Sequence, residues 1–64
     1  MSVGDKIKER RAELKWSQRD LSAKMGYAHH STVARIESGA IDPPMSKVAK
    51  FAEVLGTTVA YLME

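Results

Sequence analysis

Helix-breaking residues fall at Gly26, Gly39, Pro43, Pro44 and Gly56, so no part of this chain can form a long uninterrupted helix. Between these breaks, apolar residues recur at three- and four-residue spacing, and no stretch alternates with period two. The pattern predicts an all-α fold of five short helices. Cysteine is absent, which excludes a disulfide framework, a zinc finger and a thiol nucleophile. At 64 residues the chain is expected to form one domain, 1–64, stabilised by helix packing alone.

Each predicted helix has its own start and stop. Ser2 is placed to cap a first helix from about Val3 to Lys15, with Val3, Ile7 and Leu14 on one stripe. Ser17 opens a second, and Asp20 is positioned to reach back in a capping box. Leu21 and Met25 lie on its buried side, and Gly26 can take the left-handed conformation that stops it. After Tyr27-Ala28-His29-His30, a third helix begins near His30, turns Val33 and Ile36 inward and stops at Gly39. Ala40 to Pro44 form a loop. Ser46 is the expected cap of a fourth helix, with Val48, Phe51, Ala52 and Leu55 on its apolar face and Gly56 at its end. Thr58 caps a last turn carrying Val59 and Leu62. The predicted core is Ile7, Leu14, Trp16, Leu21, Met25, Val33, Ile36, Val48, Phe51, Leu55, Val59 and Leu62.

The formal net charge is +2, and it is unevenly placed. Residues 1–30 hold seven Lys and Arg against four acids, while residues 31–64 hold three against four. A basic first half is compatible with a polyanionic partner. No apolar run approaches a membrane span. The N-terminal charges Asp5, Lys6, Lys8, Glu9, Arg10 and Arg11 are unlike a signal peptide, and a cytoplasmic setting is expected. Ser17, Ser22 and Ser31 have no His–Asp partners at a recognisable spacing, and no glycine-rich phosphate loop exists. An enzyme is therefore not expected, nor is a cofactor. His29 and His30 are adjacent, so on a helix they diverge by about 100°, and no third His completes a metal site.

Residues 17–38 read as one unit. A short helix carries a small residue, Ser22, toward its neighbour; Gly26 permits a sharp change of direction; a second helix follows with Val33 and Ile36 inward. This is a helix-turn-helix pattern, whose second helix has the width to enter the major groove of DNA. Here the chain resembles the lambda-repressor-like, or Cro/phage-repressor-type, helix-turn-helix family. The resemblance rests on Ile7-Lys8-Glu9-Arg10-Arg11, Ser17-Gln18-Arg19-Asp20-Leu21, Met25-Gly26-Tyr27, Ser31 to Gly39 and Phe51 to Thr58, in order, over roughly residues 4–63.

The resemblance implies a double-stranded DNA operator as partner, read by a transcriptional repressor or regulator that acts as a homodimer on a pseudo-palindromic site. It places His30, Ser31, Thr32, Ala34 and Arg35 toward base edges. Gln18 would sit by a phosphate or brace the recognition helix. Arg11 and Glu37 match a partly buried structural salt bridge. The chemistry is compatible: Arg is the favoured partner of guanine, and His, Ser and Thr exchange hydrogen bonds with bases or phosphates. Arg19, Lys24, His29 and Lys47 are the further phosphate candidates, aided by free N–H groups at the starts of helices two and four.

Three features depart from the family pattern. The interval from Gly26 to Glu37 has one extra residue, absorbed around Tyr27–His29. Lys15-Trp16 replaces the usual Gly–Leu after helix one, and Trp16 is expected to fill the core position. The loop Ala40-Ile41-Asp42 lacks the basic residues often found there. An antitoxin or a protein-binding adaptor on the same fold is the competing reading. The sequence leaves open whether this is a complete small regulator or part of a longer repressor with a C-terminal dimerisation domain.

Overall fold

The computed structural model describes residues 1–64 and contains five α-helices and no strand. They are α1 (Val3–Glu13), α2 (Gln18–Met25), α3 (Ser31–Ser38), α4 (Met45–Leu55) and α5 (Val59–Leu62). Helix α1 packs on α3, α4 and α5, and α2 packs on α3 and α4. One core runs through all of them: Ile7, Leu21, Met25, Val33, Ile36, Val48, Phe51, Ala52, Leu55 and Leu62. Leu14, Trp16 and Val59, predicted as core, are only partly buried and pack against its rim.

The helix starts are of two kinds. Helices α1 and α2 open with full capping boxes. The Ser2 and Ser17 hydroxyls accept from the N–H groups of Asp5 and Asp20, whose carboxylates accept from the serine N–H groups in return. Thr58 caps α5 through the Tyr61 N–H. Helices α3 and α4 have no side-chain cap. The expectation of Ser46 as a cap is corrected. The extended backbone of Pro44 (φ −67°, ψ 159°) starts α4 two residues earlier than a Ser46 cap would allow. The Pro44 carbonyl accepts from the Lys47 and Val48 N–H groups, so Ser46 falls inside the first turn.

Four helices end in the same way. Beyond α2, α3 and α4, Gly26, Gly39 and Gly56 adopt positive φ, and the two N–H groups at each end turn back to carbonyls of the last turn. After α1 the left-handed position falls on Lys15, at φ 60°. The Lys15 N–H bonds Ala12 and the Trp16 N–H bonds Arg11, as at the glycine stops. This ends α1 at Glu13, two residues before the predicted end, and turns Trp16 back onto the core rim. A side chain in this conformation costs roughly 1–2 kcal/mol.

Helix α1 lies close against the end of α3. A Cβ built on Gly4 would stand 2.1 Å from the Ile36 carbonyl oxygen, so only glycine fits this crossing. Ser22 of α2 is buried, and its hydroxyl has no partner.

Two predictions follow from these helix ends. Lys15→Gly should stabilise the protein by about 1 kcal/mol, read as a higher urea midpoint, because glycine adopts the left-handed conformation without strain. A lower midpoint would show that Lys15 is not strained. The second concerns acid. Backbone N–H donation from the capping serines, reinforced by their hydroxyls, holds the Asp5 and Asp20 carboxyls below the usual range. The folded values lie below the unfolded ones, so this stabilisation is complete above about pH 4 and is lost as pH falls through the lowered values. Asp5→Asn/Asp20→Asn keeps the acceptors but not the titration. Its melting temperature should decline less steeply with acidification than the parent's.

Candidate nucleic-acid interface

Helix α3 is divided between core and solvent. Val33, Ile36 and Glu37 are buried, while Ser31 and Arg35 are exposed and Thr32 and Ala34 half-buried. His29 and His30 stand exposed just before it. The His30 backbone is already helical and its side chain caps nothing, so the Ser31 N–H has no protein acceptor. The Arg35 guanidinium is outside both ion pairs of the protein, which join Arg10 to Glu13 and Arg11 to Glu37. On the solvent side of α3 the side chains of Ser31, Thr32 and Arg35 thus present hydrogen-bonding groups that no other protein atom takes up, while the Ser38 hydroxyl donates to the Arg35 carbonyl.

The other side of α3 is tied down at Glu37. Its side chain is only 3% exposed, and Arg11 lies across it at 14%. Arg11 Nε donates to Glu37 Oε2 at 2.7 Å and Nη2 donates to Oε1 at 3.0 Å. Arg11 Nη1 donates to the Trp16 carbonyl at 2.7 Å, and Gln18 Nε2 donates to Glu37 Oε1 at 3.0 Å. One carboxylate at the end of α3 therefore joins α1 and the start of α2, and Arg11 extends the network to the α1–α2 turn. Hydrogen bonding to Glu37 raises the Arg11 pKa further, so the guanidinium stays charged.

The remaining candidates lie on three elements. Gln18 is half-buried, with its amide nitrogen donating to Glu37; its carbonyl oxygen has no protein partner. Arg19 is exposed on the first turn of α2. The start of α2 is less open than expected. The capping box places the Asp20 carboxylate there and consumes the Asp20 N–H. At α4 the Met45 and Ser46 N–H groups lack acceptors, and no acid stands in the first turn. The Lys47 Nζ lies 5.6 Å from the centre of the Tyr27 ring, and the Lys24 Nζ lies 4.6 Å from that of Trp16.

Sequence reasoning missed several of these contacts. Arg10 Nε donates to the Leu55 carbonyl at 2.8 Å, closing the end of α4. No local spacing could have revealed it, because it joins residues far apart in the chain. The Lys47–Tyr27 stack is non-local for the same reason. No group of three His, Cys, Asp or Glu side chains stands together, and the surface holds no enclosed cavity. No helix is long and apolar enough to cross a membrane.

A family model described as helix-turn-helix, of the lambda-repressor/Cro-like kind, matches residues 7–62. The chain belongs to that family of DNA-binding domains. No curated protein and no solved structure matches it. In this helix-turn-helix domain Glu37 fastens the far end of α3 to the start of α2 through Gln18.

The buried pair generates a prediction. Removing one partner strands the other charge, so Arg11→Ala and Glu37→Ala should each destabilise by about 3–5 kcal/mol. Arg11→Met/Glu37→Leu should recover much of that loss. Thermal melts followed by circular dichroism check this. Single variants that melt beside the parent would show the pair to be dispensable.

Proposed function

We propose that this domain binds double-stranded DNA sequence-specifically as a transcriptional regulator of the repressor type. Its operator half-site is read in the major groove. The observation that carries the reading is the division of α3. Its buried residues anchor it, while His30, Ser31 and Arg35 face solvent with unspent hydrogen-bonding groups. In this reading His30, Ser31, Thr32, Ala34 and Arg35 meet base edges. Arg19, Lys24, His29 and Lys47 meet phosphates, with Gln18 adding its second amide hydrogen while bracing Glu37. Arg11 and Glu37 are structural. Residues 1–64 act as one non-catalytic unit. Two copies bind a pseudo-palindrome with half-sites about one helical turn apart.

A second reading, an antitoxin or protein-binding adaptor, is favoured by one observation. The α3–α4 loop carries no basic residue, and Ile41 and Met45 on either side of its prolines are exposed. Alanine at His30, Ser31 and Arg35 separates the two: it abolishes a regulator's activity and leaves an adaptor's intact.

Selection of bound duplexes from a random library tests DNA reading, half-site symmetry and spacing together. On the selected duplex, Arg35→Ala should weaken binding by about 1–3 kcal/mol and relax one position of the site. Lys47→Ala should weaken binding to all sequences evenly. Indistinguishable behaviour of the two variants on selected and arbitrary DNA would overturn the assignment of their roles.

A further inference from the structure

Lys47 occupies an electrostatically unfavourable position. It is the third residue of α4, the position that holds Asp5 in α1 and Asp20 in α2. A cation there opposes the helix dipole, and no acid in the first turn compensates. What faces the ammonium instead is the ring of Tyr27, 5.6 Å away at its centre. The ring is itself fixed. Its centre lies 6.2 Å from that of Phe51, which is fully buried, and the Tyr27 N–H is bonded to the Ser22 carbonyl. Tyr27 therefore stands in the turn between α2 and α3, braced on the core below and beneath a lysine of α4 above.

A lysine on its four-carbon stem is among the costliest side chains to immobilise. A ring face that holds the ammonium in place before DNA arrives reduces that cost, and it links the phosphate contact to the turn that aims α3. We propose that Tyr27 is a positioning residue for DNA binding, acting through Lys47. The inference rests on the reading of Lys47 as a phosphate contact, and the test separates the two.

The probe is a short fluorescein-labelled duplex of arbitrary sequence, titrated by anisotropy at several salt concentrations. Lys47→Ala is expected to weaken binding and lower the salt slope by about one. Tyr27→Leu is expected to weaken binding roughly two- to fivefold, the range of an exposed cation–π contact. That loss should vanish when Tyr27→Leu is made in the Lys47→Ala background. Tyr27→Phe keeps the ring face and should bind like the parent. If Lys47→Ala binds like the parent at every salt concentration, the phosphate reading and the inference both fall. If Lys47→Ala weakens binding but the Tyr27→Leu loss persists without Lys47, the phosphate reading stands and Tyr27 is only structural. Should Tyr27→Leu fail to fold, the proton spectrum of the free parent decides. Lys47 ε-methylene protons shifted upfield by the ring support the inference; unshifted ones overturn it.

Discussion

A single buried carboxylate determines how α3 is held. Glu37 lies at the end of α3, accepting from Arg11 on α1 and from Gln18 at the start of α2. Arg11 also reaches the Trp16 carbonyl, so the turn between the first two helices belongs to the same network. Such a group is tolerable inside a protein only when its charge is matched and its oxygens are bonded. Both conditions are met here by residues from separate helices, so the bonds that satisfy Glu37 also tie α1 and α2 to α3. The inner side of α3 is thereby committed, and Ser31 and Arg35 on its outer side face solvent.

The helix starts divide the molecule in a related way. Helices α1 and α2 are closed by serine caps and carry an aspartate in the first turn, so their positive ends are already answered. Helices α3 and α4 have no side-chain cap and no acid there. The open ends are those beside His30 and Lys47. On electrostatic grounds a polyanion is better received at α3 and α4 than at α2, which shifts the expected balance of backbone contacts away from the start of α2.

Much of this could be read from the residues in order. The serine caps of α1 and α2 and the threonine cap of α5 are local signals, and so are the glycine stops at 26, 39 and 56. Apolar spacing identified the inward side of α3 because Val33 and Ile36 obey the helical period. What escaped was either non-local or against local preference. Lys15 takes a glycine's conformation, so its residue type gave no sign of the stop. Pro44 displaced Ser46 as the start of α4 through its own extended backbone. Nothing local marks Gly4, and its need for closeness becomes visible only once α3 lies against it. Leu14, Trp16 and Val59 fit the apolar pattern, yet so small a body has too little interior to bury them fully.

As proposed, α3, anchored from behind through Glu37, meets nucleobases with the residues at its open end. Backbone amide spectra of the labelled protein, recorded as a selected duplex is added, decide this. The largest perturbations should gather on residues 29–35, with smaller ones near Lys47 and little change on α5. Perturbations concentrated on α5 or on the loop around Ile41, with residues 29–35 unmoved, would contradict it.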